Sequence, residues 1–180
     1  MPVDDGACNH LAGMAMPLLA LPSTNGGEVN VAEASRERRT VFFFYPRSGR
    51  PDEAQIPGWD DIPGARGCTP QSCAFRDNFG EFERRGVQVF GVSAQDTDYQ
   101  REFADRTHLP YPLLSDAAFT LTNALKLPTF EVARMTLIKR LTLVVSDGRI
   151  EKVFYPVFPP NKNAEDVLAP ASSAYSLTIR

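Results

Sequence analysis

The chain has 180 residues, 43% of them hydrophobic and 23% charged, and a formal net charge of −3. That suffices for one domain with a hydrophobic core and is too short for two ordinary ones. The arginines among residues 36–39 read as a solvated surface rather than a nucleic-acid footprint, and no apolar run approaches the roughly 18 residues of a membrane-spanning helix.

Residues 11–21 are apolar, but Pro17 breaks the patch, and Asp4 and Asp5 stand where a secretory leader carries basic residues. The expectation is a cytoplasmic protein with a flexible N-terminal arm, residues 1–20. Residues 21–31 then read as a short hairpin turning at Asn25-Gly26. Residues 40–45, Thr-Val-Phe-Phe-Phe-Tyr, form a continuous apolar run of strand formers, as in a strand buried on both faces. Residues 46–67 are punctuated by Pro46, Pro51, Pro57 and Pro63 and by four glycines, and make an unusually long loop.

A helix is predicted to start just after Cys68, capped by Thr69 with Pro70 in its first turn. Phe75, Phe79 and Phe82 give it one apolar stripe. Residues 87–92 read as a second buried strand. Thr97 and Gln100 suggest a capping box for a helix with Tyr99 and Phe103 inside. Asp116 can cap a shorter helix ending at Leu125. Residues 141–145 and 150–155 read as strands joined through Asp147-Gly148. A last helix over 164–168 stops at Pro170, and residues 171–180 form a tail. Alternating strands and helices imply an α/β domain over residues 21–170, with parallel neighbours in a sheet covered by helices.

Of the three cysteines, Cys8 lies in the arm, while Cys68 and Cys73 share the predicted helix. At a helix start, exposed N–H groups and the helix dipole favour a thiolate, the nucleophilic form, at Cys68; Arg66 adds positive charge nearby. Two readings of Cys73 stand: a small hydrophobe, or a second redox thiol. Five residues along a helix rise about 7.5 Å, whereas a disulfide needs Cα atoms about 4.4–6.8 Å apart. A Cys68–Cys73 bridge therefore requires the helix start to unwind. Cys68 and Cys73 alone have a usual zinc spacing, and Cys8, His10 and His108 supply no second pair with Cys-x2–4-Cys or His-x3–5-His spacing, so no metal is expected.

The segment Gly67-Cys-Thr-Pro-Gln-Ser-Cys-Ala-Phe-Arg-Asp77 resembles the peroxiredoxins, most closely the Q-type or bacterioferritin-comigratory branch. The Phe44-Tyr45-Pro46, 86–93, 113–116 and 140–150 segments match in the same order, and the resemblance covers about residues 20–168. It implies a thioredoxin-like fold, a central mixed β-sheet flanked by helices. It further implies reduction of hydrogen peroxide and alkyl hydroperoxides without a cofactor or metal. By position, Cys68 matches the peroxidatic cysteine and Cys73 the resolving one. Arg140 matches the arginine that holds thiolate and peroxide, and Pro46 the proline that shields the site. A thioredoxin-like or glutaredoxin-like reductant is implied, with no nucleic-acid or membrane partner; the branch points to a monomer, a weak dimer being the other expectation. The departure is Ala65, where the family carries Thr or Ser, in an inserted loop 47–66. Ser48 is the candidate substitute hydroxyl, with Thr69 a poorer one. Two other functions compete: a thioredoxin-fold disulfide reductase, disfavoured by the lack of Cys-x-x-Cys, and a noncatalytic binding protein on this scaffold.

Overall fold

A computed structural model describes residues 1–170, so the tail expected over 171–180 lies outside the described residues. In chain order the elements begin with a hairpin of β1 (Ala20–Pro22) and β2 (Glu28–Asn30), then α1 (Val31–Glu37) and β3 (Thr40–Phe44). After the long loop come α2 (Cys68–Asp77), α3 (Phe79–Arg84), β4 (Gln88–Ser93), α4 (Thr97–Thr107) and β5 (Leu113–Ser115). The remainder is α5 (Thr120–Leu125), a hairpin of β6 (Thr129–Val132) and β7 (Met135–Ile138), β8 (Leu141–Ser146), β9 (Arg149–Phe154) and α6 (Asn163–Leu168).

The main sheet runs β5-β4-β3-β8-β9. Strand β3 pairs parallel with β4 and antiparallel with β8, so it is central. All five of its side chains are buried, as the unbroken apolar run requires. The two-residue period of a strand divides them between two cores. Phe42 and Phe44 join Phe90, Val92, Leu114 and Leu143 on one face. Val41, Phe43 and Tyr45 face Phe75, Phe82, Phe103 and Tyr111 on the other, with Phe43 stacked on Phe75 at 4.5 Å between centroids. Gly91 allows this close approach. A Cβ there would lie 2.5 Å from Leu113 Cδ2 and 2.7 Å from Phe43 Cζ.

Several expectations are corrected. Residues 1–20 are not a loose arm: Cys8, Leu11 and Met16 are buried, and Gly13 N donates to Ile150 O at 2.8 Å while Ile150 N donates to Met14 O at 2.8 Å. The segment therefore borders β9 like an extra edge strand, driven by apolar side chains that the first core covers. Helix α1 and the β6–β7 hairpin were not foreseen. Asn30 Oδ1 starts α1 by accepting from Ala32 N and Glu33 N, both at 3.1 Å.

The aromatic stripe of residues 75–82 spans two helices rather than one, broken at Asn78, whose side chain donates to Ala74 O at 2.8 Å. Asp96, not Thr97, caps α4, accepting from Tyr99 N at 2.7 Å. Gln100 is no capping residue; it is buried and bonds Tyr45, Gln95 and Leu114. Tyr99 consequently turns toward the long loop. Asp116 does start α5, its two carboxylate oxygens accepting from Leu121 N and Thr122 N at 3.0 and 2.8 Å.

Candidate active site

The parallel β3–β4 pair feeds two loops and a helix start to one end of the sheet. Cys68 is the first residue of α2 and only 4% exposed. Helix α2 is entered through Gly67, not through Thr69. Gly67 has φ +107, and a Cβ on it would meet Pro160 Cγ at 2.5 Å. A left-handed, side-chain-free residue is what lets the helix begin this close to the 3-10 turn Pro160–Lys162.

Arg140, 5% exposed, lies between β7 and β8. Its Nη2 donates to Cys68 Sγ at 3.2 Å and to the Ala65 and Arg66 carbonyls, both at 3.1 Å. Its Nη1 donates to Gln71 Oε1 at 2.5 Å, and its buried Nε has no partner among the described residues. The carbonyls supplied by residues 64–66 fix the guanidinium plane, which leaves its charge directed at the sulfur.

Gln71 is fully buried one turn along from Cys68 and donates onward to Asn163 Oδ1 at 3.0 Å. Thr142 Oγ1 donates to the same oxygen at 2.7 Å. The spacing of three residues from Cys68 could have placed Gln71 on the cysteine's face of the helix. Asn163 and Thr142 carry no such signal, because their link exists only in three dimensions.

A polar cavity of about 270 Å³ opens over Cys68, walled by Arg47, Ser48, Trp59, Ala65, Arg66 and Thr69. Ser48 thus folds back to the sulfur's side, as expected of a substitute for the missing hydroxyl. Its Oγ, however, donates to Gln95 Oε1 at 3.2 Å, and its N donates to the same oxygen at 2.9 Å. Pro46 is buried and sits with Arg140 on a separate, mostly apolar cavity of about 440 Å³, alongside Ile62, Pro63, Phe130 and Tyr155. Cys68 and Ser48 therefore share one cavity and Pro46 and Arg140 another, with the Arg140–Cys68 contact joining them.

The inserted loop is pinned rather than hanging in solvent. Arg106 Nη2 donates to Gly49 O at 2.9 Å, Tyr99 Oη to Glu53 Oε2 at 2.5 Å, and the Arg50 guanidinium lies 4.4 Å over the Tyr99 ring. Arg66 pairs with Asp60, and Trp59 packs against Phe130 with centroids 6.3 Å apart. The Arg66 guanidinium is therefore paired with Asp60 on the exposed side of the loop.

Cys73 is half-buried, and both it and Cys68 are free thiols in an intact helix. Tyr111 Oη donates to Ser72 O at 2.7 Å beside it. Burial, above all, pushes the Tyr111 and Tyr45 phenols well above their ordinary range, so both remain neutral donors. Tyr45 donates to Gln100 Oε1 at 2.6 Å. His108 is exposed at the end of α4, as expected.

A family model described as Redoxin matches residues 11–168. Chloroplastic peroxiredoxin Q of Gentiana triflora is 30% identical over 163 residues, which cover 90% of this chain and 67% of that protein. Chloroplastic peroxiredoxin Q of Oryza sativa subsp. japonica is 30% identical over 157 residues, 87% of this chain and 64% of the relative. The chain thus spans about two thirds of these plant proteins. The solved structure of peroxidoxin BcpB from Mycobacterium tuberculosis superposes with a TM-score of 0.72 and 26% identity, over 88% of this chain and 95% of the other.

Proposed function

The chain belongs to the Redoxin family, among the peroxiredoxins, and from that premise we propose that it is a thiol-dependent peroxidase in which Cys68 attacks the peroxide. The observation that carries this reading is the Arg140 Nη2 contact to Cys68 Sγ at 3.2 Å, between two buried side chains at a helix start that opens on a polar cavity.

The Cys68 thiolate attacks the distal oxygen of ROOH. The S–O bond forms as the O–O bond breaks, and the departing RO⁻ takes a proton to leave as water or alcohol. Negative charge moves from sulfur to the leaving oxygen, and the Arg140 guanidinium is fixed where it can follow that charge without reorganising. With Ala65 in place of a hydroxyl and Ser48 bonded to Gln95, orientation of the peroxide falls to Arg140 and the N–H groups of the α2 start.

The helix start then unwinds, and Cys73 attacks the Cys68 sulfenic acid. The S–S bond forms, the S–O bond breaks, and water leaves. A thioredoxin-like or glutaredoxin-like dithiol reduces the disulfide by exchange and is itself oxidised. Both cysteines lie on one helix, so a monomer completes the cycle, and a reducing compartment such as the cytoplasm suits it.

The test is peroxide consumption by the reduced protein with a thioredoxin system. We expect turnover in wild type, none in Cys68→Ser, and a single turnover in Cys73→Ser. A folded, reduced wild type that consumes no peroxide would instead favour a binding protein that has kept this scaffold.

A further inference from the structure

We propose that Asn163 is a positioning residue for the reactive helix: by holding Gln71 it keeps the first turns of α2 wound and so limits how fast Cys73 reaches oxidised Cys68. This rests on the peroxidase reading for its consequence, though the clamp itself is a property of the reduced fold.

The clamp is a buried polar chain. Arg140 Nη1 donates to Gln71 Oε1 at 2.5 Å, Gln71 Nε2 to Asn163 Oδ1 at 3.0 Å, and Thr142 Oγ1 to the same Asn163 oxygen at 2.7 Å. Gln71 and Thr142 are fully buried and Asn163 nearly so. The chain ties α2 to α6 and to β8 through groups that water does not reach. The same stretch that carries Asn163 also carries Pro160, which closes over Gly67 at the start of α2.

Gln71 lies between the two cysteines. Bringing their Cα atoms from the helical separation, about 7.5 Å of rise, to the range of about 4.4–6.8 Å that a disulfide needs unwinds the turn that contains Gln71. That motion withdraws its amide from both partners. A buried hydrogen bond broken without replacement opposes the motion, so the Asn163 bond sets part of the barrier to opening.

The barrier matters because two reactions compete for the sulfenic acid. In one, Cys73 displaces the sulfenic oxygen as water and the disulfide forms. In the other, a second peroxide oxidises the same sulfur, adding one oxygen to give the sulfinic acid and leaving as water or alcohol. A tighter clamp favours the second.

The experiment measures opening with and without peroxide. Diamide converts two thiols to a disulfide, itself taking up two electrons and two protons, and needs no peroxidase chemistry. We expect Asn163→Ala to speed diamide-driven Cys68–Cys73 disulfide formation about tenfold, and Thr142→Val, which keeps the side chain's shape, to speed it less. Asn163→Asp keeps an acceptor for Gln71 and returns the rate toward wild type. Amide hydrogen exchange should rise in residues 68–73 and not in α4 or the central strands, which a general loss of stability would not reproduce. In the peroxide arm, Asn163→Ala should need about tenfold more peroxide to reach half sulfinic acid. Disulfide formation at or below the wild-type rate in both Asn163→Ala and Thr142→Val overturns the proposal. If wild type reacts with diamide but not with peroxide, the peroxidase reading fails while the clamp is still measured.

Discussion

Removing the Arg140 guanidinium takes away the one cation among the described residues that touches the Cys68 sulfur, at 3.2 Å. Loss of a fixed charge donor in a water-poor site costs roughly 10²–10³-fold in rate. We expect a fall of that order in the second-order reaction of Arg140→Ala with peroxide, measured by rapid mixing. Arg140→Lys should recover part of it, because a lysine keeps the charge but not the fork that reaches Gln71, Ala65 and Cys68 together. Cys8 behaves oppositely to a reactive thiol. Burial, reinforced by the charges of Asp5 and Asp4, pushes it from 9.0 to about 12. As pH rises past 9.0 the unfolded chain gives up this proton first, so the stability linked to Cys8 is intact below that pH and is lost toward about 12. Urea unfolding across this window should show a flatter decline in Cys8→Ala than in wild type; equal slopes would contradict the burial argument. Motif order marks Cys68, Cys73, Arg140 and Pro46 as candidates, and the structure brings Arg140 to Cys68 while Pro46 lines the neighbouring cavity. Gln71 lies inside the motif with no role assigned to it, and Asn163, after Pro159-Pro160-Asn161-Lys162, stands just before the helix predicted over 164–168.

Helix α2 owes its start to Gly67 rather than to a side-chain cap. Alanine there combines a φ of +107 with a Cβ 2.5 Å from Pro160 Cγ. We expect Gly67→Ala to lower stability by about 1–3 kcal/mol by thermal denaturation, at the scale of a strained backbone position. It should also slow the peroxide reaction, because the backbone that presents Cys68 shifts. A variant with wild-type melting and rate would mean that Pro160 yields without consequence. Strands β3, β4, β8 and β9 were readable because each is a long apolar or alternating run, whereas β5, with three residues, is too short to show a period. Helix α1 was not readable, since its seven residues begin at a cap, Asn30, that also closes the hairpin, and its single arginine, Arg36, reads with Arg38 and Arg39 as plain surface. The split between α2 and α3 was likewise hidden. Phe75 and Phe82 keep helical spacing across the break at Asn78, so periodicity alone reports one helix.

Across the whole molecule, two cores on the faces of one sheet hold three separate pieces, the α2 start, the inserted loop and the β7–β8 junction, around one sulfur. The loop is the piece whose placement depends most on contacts distant in sequence. Tyr99 is its hub, with the Arg47 and Arg50 guanidiniums 5.2 and 4.4 Å over its ring and Glu53 on its hydroxyl. Tyr99→Ala should therefore speed proteolytic cleavage within residues 46–67 severalfold while changing global stability little. Uniform cleavage in both proteins would show that the loop is held from elsewhere. Composition marked residues 46–67 as a long loop, but its staples to α4 and to the β6–β7 hairpin have no local signature. The N-terminal segment, apolar yet broken by proline, was misread for the same reason: its pairing with β9 is a long-range contact. The central claim, that Cys68 takes the peroxide oxygen and Cys73 displaces it, is tested most directly by one pulse of equimolar hydrogen peroxide on the reduced protein, followed by mass spectrometry of the α2 peptide. The peptide should be lighter by two hydrogens in wild type, one oxygen heavier at Cys68 in Cys73→Ser, and unchanged in Cys68→Ser; an unmodified Cys68 in wild type, with the peroxide left in solution, would rule out the peroxidase chemistry.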